Sequence, residues 1–174
     1  SRFYLYDSSL YKNPSIANTY EPGSTFKVLV AAAALNEGVI KEEDKCDICG
    51  GPVQIDKYNI KTWNGEYRDG ATPTDIITHS DNTGMVWMQR RLGGEKLVDY
   101  IKNFGFGEKT GIDLQEEVSS PLRIKWGEVD YATSSFGQGI AVTSIQMVRA
   151  VGAIANGGKL MEPHVVDTVL GEEN

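Results

Sequence analysis

The sequence predicts a predominantly helical α+β fold in a single domain. Helical periodicity and capping signals recur along most of the chain, a few short stretches alternate apolar and polar residues as strands do, and no internal repeat is present. With 174 residues, of which 40% are hydrophobic and 24% charged, the chain has the size and composition of one globular domain with its own core.

The first part of the chain is polar and rich in turn signals, so we expect an irregular lead-in over residues 1–22. Strong helix formers follow over 24–36, where an almost entirely apolar run predicts a buried central helix. The stretch 46–64 predicts two short strands around a turn at Asp56 and Lys57.

The middle of the chain predicts three helical segments and a loop. Residues 72–75 have the threonine, proline and aspartate of a helix start. That helix is short because 80–82 interrupts it before the helical pattern resumes over 83–92. An amphipathic helix is expected over 95–104, and a glycine-rich loop over 105–121.

The last helix begins at a capping box formed by Thr143 and Gln146 and ends at Gly157 and Gly158. Its periodicity predicts these inward-facing residues: Met147, Val148, Val151 and Ile154. The β-branched tail 163–170 predicts a strand. The single partial domain, 1–174, is therefore divided as follows: a lead-in over 1–22, a helical part over 23–165, and the start of a truncated strand over 163–174.

Charge and hydropathy exclude two classes of partner. A formal net charge of −7 and a pI of about 4.9 leave no basic surface of the kind that nucleic acids or anionic membranes bind. The longest apolar run, 28–35, is far shorter than the roughly 20 residues of a membrane-spanning helix. The opening residues carry no leader signal and resemble the middle of a longer chain, so we expect the natural flanks to lie outside this sequence.

The two cysteines, Cys46 and Cys49, stand beside a Gly-Gly-Pro turn. A zinc site takes four ligands, and neither His79 nor His164 lies at ligand spacing from the pair. We therefore expect no metal and no other cofactor. The pair is predicted to belong to a tight turn, as free thiols or as a disulfide according to the compartment.

Ser24 and Lys27 are the first candidates for chemistry. Three residues apart at the start of a buried helix, they are neighbours in space. Burial at a helix N-terminus lowers the pKa of a lysine, so that its neutral amine accepts the serine proton. The backbone N–H of Ser24 faces a developing oxyanion, which suits acyl transfer. The alternative is a serine cap followed by a solvated lysine, a pattern that average composition produces about once by chance in such a chain.

Ser80-Asp81-Asn82 is the second candidate, a polar break between two helical segments. A hydroxyl and an amide presented at a change of chain direction suit a proton shuttle at Ser80 and a substrate-amide clamp at Asn82. The alternative is an N-cap for the following helix. We interpret Asp81 as structural.

Together the two patterns resemble two of the three motifs shared by penicillin-binding proteins and class A β-lactamases. Tyr20-Glu-Pro-Gly-Ser-Thr-Phe-Lys27 is similar to the nucleophile motif of high-molecular-weight penicillin-binding proteins, and Asn82-Thr-Gly-Met-Val continues as that family does. Residues 105–114 and 135–143 resemble two further family segments, in family order. The resemblance covers residues 20–165.

The resemblance implies a D,D-transpeptidase that crosslinks peptidoglycan stem peptides and is acylated by β-lactam antibiotics. Ser24 would attack the penultimate carbonyl of a D-Ala-D-Ala end while Lys27 accepts its proton. Ser80 would protonate the leaving D-alanine, and Asn82 would hold the substrate amide. The parent protein would carry a membrane anchor and act with other cell-wall machinery at the extracytoplasmic face of the bacterial cell membrane.

Lys109-Thr110-Gly111 spells the third motif of the family, yet we expect a structural loop there. In the family that motif lies on a strand after the segment that 135–143 resembles, whereas here the tripeptide precedes it. The resemblance thus implies a fragment of the penicillin-binding protein and serine β-lactamase-like fold that lacks most of the central sheet. Without a second oxyanion donor, such a fragment is expected to be inactive by itself.

Two other functions stay open. A β-lactamase or D,D-carboxypeptidase of the same fold would pass the acyl group to water, and a β-lactam sensor or scaffold would keep the fold without turnover. The family segments at 105–114 and 135–143 favour the transpeptidase. Four remaining side chains are expected in turns, in the core or at its rim: Gln138, Trp63, Trp87 and Trp126.

Overall fold

The computed structural model describes Leu5, Asp7 and residues 11–171. Its elements in chain order are α1 (Pro14–Ala17), β1 (Thr19–Tyr20), a 3₁₀ helix (Gly23–Phe26), α2 (Lys27–Asn36), β2 (Val53–Ile55), β3 (Tyr58–Ile60), α3 (Pro73–Thr78), α4 (Asn82–Leu92), α5 (Gly94–Asn103), α6 (Glu128–Ser134), β4 (Val142–Thr143) and α7 (Ser144–Ala155). The strands form two antiparallel pairs, β1 with β4 and β2 with β3. The predicted predominantly helical α+β class is confirmed.

Helix α2 lies at the centre of the molecule, as its apolar sequence predicts. It packs against α3, α4, α5 and α7. Its buried residues are Lys27, Leu29, Val30, Ala31, Ala33 and Ala34. Burial of side chains such as Leu29 stabilises the fold by about 1.5–3 kcal/mol each. The first turn differs from the prediction, because residues Gly23–Phe26 form a 3₁₀ helix and α-helical geometry begins only at Lys27.

A tight connection joins α3 to α4. The N–H of Ser80 donates to the carbonyl of Ile77 (3.1 Å) and the N–H of Asp81 to that of Ile76 (2.9 Å), which is the Schellman pattern. Ser80 consequently has a left-handed backbone with φ of 54°. A Cβ on Gly84 would lie 2.4 Å from Ile76, so glycine is what lets α4 pack this closely on α3.

The predicted strands around Asp56 are confirmed as the β2–β3 hairpin. Cys46 and Cys49 are buried and joined in a disulfide, so neither is a free metal ligand. Within the described residues, no group of three or more metal-ligating side chains is present. The disulfide-bonded turn also holds the segment 68–71: Arg68 donates its N–H to Cys49 (3.1 Å), and Cys46 donates its own to Ala71 (2.9 Å).

The expectation of irregular structure over 1–22 is wrong for residues 14–20. Asn13 caps α1 through a side-chain bond from the N–H of Ser15 (3.0 Å), with Pro14 at the first helical position. Strand β1 then pairs with β4, more than a hundred residues further along the chain. Residues 1–4, 6 and 8–10 of this prediction lie outside the described part of the chain.

Helix α7 begins at the predicted capping box of Thr143 and Gln146. Its predicted inward face is wrong except at Met147: the buried residues are Gln146, Met147, Ala150 and Ala153, whereas Val148, Val151 and Ile154 are exposed. Small alanines allow α7 to approach α2 closely. The larger branched side chains of α7 remain partly exposed to solvent.

The predicted strand over 163–170 is also wrong, because within the described chain no strand lies beside this tail to pair with it. The backbone N–H groups of Val165 and Val166 instead donate to the carboxylate of Asp113, each at 2.8 Å. The described residues contain no helix that is both long and apolar enough to cross a membrane.

Candidate active site

Lys27 joins the two motifs that sequence reasoning singled out. Its Nζ donates to the carbonyl oxygen of Ser80 (2.6 Å), to the hydroxyl of Ser80 (3.0 Å) and to Oδ1 of Asn82 (2.8 Å). The three hydrogens of the ammonium are all bound, which explains how a lysine that is 2% exposed is tolerated. The alternative of a solvated lysine is therefore excluded.

Ser80 lies between Lys27 and Ser24. The Ser80 hydroxyl accepts from Lys27 and donates to Oγ of Ser24 at 2.9 Å. Sequence reasoning predicted that Ser24 passes its proton directly to Lys27. The observed hydrogen bonds instead connect the two residues through the hydroxyl of Ser80.

Burial lowers the pKa of the Lys27 ammonium from 10.5 to about 8, while the nearby negative charge of Asp81 opposes the shift. Desolvation is the larger of the two effects. With a pKa near 8, roughly a tenth of Lys27 is neutral at pH 7 and ready to accept a proton.

Asp81 is the N-cap of α4, as the structural interpretation predicted. Its Oδ1 accepts from the N–H of Thr83 (2.7 Å), from the hydroxyl of Thr83 (2.7 Å) and from the N–H of Gly84 (3.2 Å). The N-cap alternative for the Ser-Asp-Asn motif is therefore confirmed at Asp81, whereas the proton shuttle at Ser80 and the substrate clamp at Asn82 stay predictions. Asp81 caps the helix, and its two neighbours bind Lys27.

The left-handed backbone of Ser80 directs its carbonyl and its hydroxyl to the same ammonium. A residue other than glycine in this conformation costs about 1–2 kcal/mol. Such strain recurs at functional sites, where the surrounding structure holds it in place. Here the Schellman bonds of α3 on one side and the Asp81 cap of α4 on the other fix Ser80 in this position.

Asn82 is held by both ends of its side-chain amide. Oδ1 accepts from Lys27, and Nδ2 donates to the carbonyl of Lys61 at 2.9 Å. The amide is thereby oriented with its oxygen toward the interior of the site. Lys61 directly follows β3, and no sequence pattern predicted its hydrogen bond with Asn82.

The turn before Ser24 is fixed by glycines from a distant segment. The N–H of Gly23 donates to the carbonyl of Gly137 at 2.9 Å, and a Cβ on Gly137 would lie 2.1 Å from the oxygen of Gly23. The N–H of Gly139 donates to the carboxylate of Glu21 at 2.9 Å. Both distant glycines have positive φ, as a tight turn around Gln138 predicts, but their close approach to the turn before Ser24 was not predicted.

Ser24 itself is exposed and is the second residue of the 3₁₀ helix. Its N–H is among the first of that helix, which have no partner within the helix. An N–H in this position is suited to bind an oxyanion that forms on a carbonyl attacked by Ser24.

An open cleft with a volume of about 460 Å³ lies beside Ser24. It is lined by Ser24, Trp63, Asn64, Glu66, Arg68, Thr78, His79 and Ser80. Of the three tryptophans, Trp87 is buried in the core, Trp126 stacks on Tyr131 with 5.9 Å between ring centroids, and Trp63 is 76% exposed at the cleft. These positions agree with the predicted core or rim placement.

Lys109-Thr110-Gly111 lies in a loop with no strand. The carboxylate of Glu117 accepts from the N–H and the hydroxyl of Thr110, both at 2.6 Å, and from the N–H of Gly111 at 3.2 Å. Thr110 and Glu117 are both buried. The N–H groups of Thr110 and Gly111 and the hydroxyl of Thr110 are therefore used to close the loop.

The chain matches a family model of the penicillin-binding protein transpeptidase domain over residues 4–173. It is 43% identical over 163 residues to stage V sporulation protein D of Bacillus subtilis (strain 168), covering 91% of this chain and 25% of that protein. It is 32% identical over 149 residues to the peptidoglycan D,D-transpeptidase FtsI of Escherichia coli (strain K12), covering 84% of this chain and 25% of that protein. The chain thus spans about a quarter of the length of these relatives.

A crystal structure of a peptidoglycan glycosyltransferase from Burkholderia ambifaria has the same fold, with a TM-score of 0.84 over 94% of this chain and 52% of the other at 23% identity. The predicted fold, a helical fragment without most of the central sheet, agrees with this likeness. Because the family model matches nearly the whole chain, the chain belongs to the penicillin-binding protein transpeptidase domain family.

Proposed function

We propose that this chain is the nucleophile-bearing part of a peptidoglycan D,D-transpeptidase that works through an acyl-enzyme on Ser24. The observation that carries the proposal is the chain of hydrogen bonds from Lys27 through Ser80 to Ser24. A serine connected to a buried lysine of lowered pKa has the parts that an activated nucleophile requires.

The first half-reaction uses these contacts with Lys27 neutral and the two hydroxyl hydrogens turned the other way, from Ser24 to Ser80 and from Ser80 to Lys27. Oγ of Ser24 attacks the carbonyl of the penultimate D-alanine, and its proton passes through the Ser80 hydroxyl to the neutral amine of Lys27. The tetrahedral oxyanion faces the N–H of Ser24. When the intermediate collapses, the C–N bond breaks, and Ser80 returns the proton to the leaving D-alanine.

The second half-reaction forms the crosslink. An amine of a neighbouring stem peptide attacks the acyl-enzyme and gives its proton to the same Ser80–Lys27 pair, which returns it to Oγ of Ser24 as the ester C–O bond breaks. Asn82 holds the donor peptide, because Oδ1 keeps a lone pair for a substrate N–H while it accepts from Lys27. β-Lactams acylate Ser24 by the first half-reaction alone.

The full-length protein is expected to supply what these residues lack. A third motif on a strand would complete the oxyanion site and bind the substrate carboxylate. Removal of one oxyanion donor typically costs about 100- to 1,000-fold in rate. We propose that the full-length protein acts at the extracytoplasmic face of the cell membrane with other cell-wall machinery, in keeping with the peptidoglycan that the name of the relative FtsI gives as substrate.

Labelling of the full-length protein with a fluorescent penicillin tests the proposal. We expect a stable covalent label that Ser24→Ala abolishes. Ser15→Ala is the matched control, because Ser15 is exposed on the short helix α1, and it should keep the label. An unlabelled wild-type protein, or a labelled Ser24→Ala variant, would contradict the proposal.

The fate of the label separates the alternatives. A transpeptidase or a sensor keeps the label, whereas a β-lactamase or D,D-carboxypeptidase of the same fold releases it to water. Incubation with donor and acceptor stem peptides then distinguishes the first two, since only a transpeptidase forms the crosslinked product.

A further inference from the structure

The cleft beside Ser24 contains side chains that the proposed reaction does not use. Trp63 is 76% exposed, which leaves a large aromatic face open to solvent next to the nucleophile. A tryptophan ring offers a large apolar area that a ligand in the cleft can contact. Glu66 and Arg68 line the same cleft.

Glu66 and Arg68 form an ion pair, with 2.9 Å between Oε2 and Nη2. Their side chains are 64% and 33% exposed, so both can still bind a ligand. The backbone presenting them is fixed, because Glu66 donates its N–H to the side chain of Asn64 (3.1 Å) and Arg68 donates its own to Cys49 in the disulfide-bonded turn (3.1 Å).

The chemistry of the pair selects one kind of ligand. A lone carboxylate would bind Arg68 but be repelled by Glu66, and a lone ammonium would experience the reverse. A group that carries an ammonium and a carboxylate on one carbon satisfies both partners at once through charge-assisted hydrogen bonds. The face of Trp63 suits the aliphatic chain that leads to such a group, or the ammonium itself.

A stem peptide whose diamino acid is also a dicarboxylic acid has such a group close to the reacting carbonyl. In a donor stem peptide the diamino acid directly precedes the D-alanine that Ser24 would attack, and one residue spans at most about 3.6 Å. The side chain of this diamino acid therefore enters the space around Ser24, where the cleft lies.

We propose, on the basis of the proposed function, that Trp63, Glu66 and Arg68 form a specificity subsite for the diamino acid side chain of the donor stem. The subsite selects a diamino dicarboxylic acid, whose side chain ends in an ammonium and a carboxylate, over lysine. Arg68 binds the carboxylate, Glu66 binds the ammonium, and Trp63 contacts the methylene chain.

The test measures D-alanine release by the full-length protein from four pentapeptide donors, each supplied with the same acceptor stem peptide to take the acyl group from Ser24. Their third residues are meso-diaminopimelate, its side-chain carboxamide, its side-chain N-acetyl derivative, and lysine. We expect kcat/KM to be highest for meso-diaminopimelate, by about tenfold or more over each of the others, which corresponds to loss of one charged contact.

The ratio of kcat/KM for two peptides, measured with the same variant, separates an effect on the subsite from an effect on folding. A loss of folded enzyme lowers both rates equally and leaves the ratio unchanged. Arg68→Ala should remove the preference for carboxylate over carboxamide while retaining that for the free amine over its N-acetyl form. Glu66→Gln should do the opposite. Trp63→Ala should lower kcat/KM for all four peptides, whereas Tyr58→Ala, at an exposed aromatic on the hairpin, should match wild type.

Equal use of the four donors by wild type, or unchanged ratios in Arg68→Ala, would overturn the subsite. If penicillin still labels Ser24 in that case, only the subsite fails and the proposed function stands. If neither penicillin nor any donor reacts, the proposed function fails and the subsite fails with it.

Discussion

The residues around Lys27 and the loop around Thr110 each contain a three-letter pattern from the same family, yet they are built differently. Lys27 binds Ser80 and Asn82, which lie 53 and 55 residues away in the sequence. Thr110 binds Glu117, only seven residues away. The first region brings distant segments together at an exposed serine, and the second closes a loop on itself.

This difference shows why a short motif is weak information about function. Both regions bury a charged side chain and bind it with three hydrogen bonds. At Lys27 one of those bonds leads on through Ser80 to an exposed hydroxyl, whereas at Glu117 all three end on the backbone and side chain of one loop. What distinguishes the two regions is therefore the group at which each hydrogen-bond network ends.

The largest expected effect comes from removing the lysine. Lys27→Met keeps a long apolar side chain in the buried position but has no amine to act as a base. Acylation of the full-length protein by penicillin should therefore slow by about 100- to 10,000-fold, the usual contribution of a general base. Lys109→Met is the matched control and should acylate at the wild-type rate. An equal loss of acylation rate in Lys27→Met and Lys109→Met would contradict the distinction between the two regions.

Two substitutions of Ser80 should have the same effect on the acylation rate but different effects on stability. Ser80→Ala and Ser80→Gly both lack the hydroxyl, so both should acylate about 100-fold more slowly than wild type. Glycine relieves the left-handed backbone, so the Gly variant should have a free energy of unfolding about 1 kcal/mol higher than the Ala variant. Denaturant unfolding measures this; a less stable Gly variant would contradict the strain assigned to Ser80.

Changes at Glu117 should affect stability and leave catalysis intact. Glu117→Ala leaves the buried N–H and hydroxyl of Thr110 without their acceptor, which should lower the free energy of unfolding by about 1–3 kcal/mol. The acylation rate per folded molecule should not change. A slower rate at full folding would mean that this loop takes part in the reaction.

The smallest effect is a pH dependence. If Lys27 acts as a neutral base with a pKa of about 8, the acylation rate should rise with an apparent pKa near 8, about tenfold between pH 7 and pH 9.

Because the folded pKa of Lys27 lies below the unfolded value of 10.5, the unfolded state binds more protons between these values, and the free energy of unfolding should rise with pH across that window. Lys27→Met should lose this part of the rise, and an unchanged profile would exclude the lowered pKa.

Sequence reasoning was most accurate where local chemistry decides the structure. The capping boxes at Thr72 and Asp75 and at Thr143 and Gln146 are confirmed, since their partners lie three residues apart. Helix α6 was not predicted, because Val129, Tyr131 and Thr133 are weak helix formers. Packing between Trp126 and Tyr131 stabilises it instead.

The misses share a dependence on distant partners. The β1–β4 pair needs residues far apart in the chain, and the contact of Gly23 with Gly137 depends on a close backbone approach that no spacing encodes. For α7, the prediction placed the larger apolar residues inside, whereas the face with Ala150 and Ala153 packs inside. For the site, Lys27 and Ser80 were identified, but the position of Ser80 between Lys27 and Ser24 required the fold.

The most direct test of the account is to map the penicilloyl adduct on the full-length protein by mass spectrometry. Cleavage after Lys12 and Lys27 gives a peptide that contains Ser15 and Ser24. We predict the adduct on Ser24 in this peptide, formed at a much lower rate in Ser80→Ala. An adduct on any other residue, or an undiminished rate in Ser80→Ala, would contradict the assignment of Ser24 as a nucleophile activated by Lys27 through Ser80.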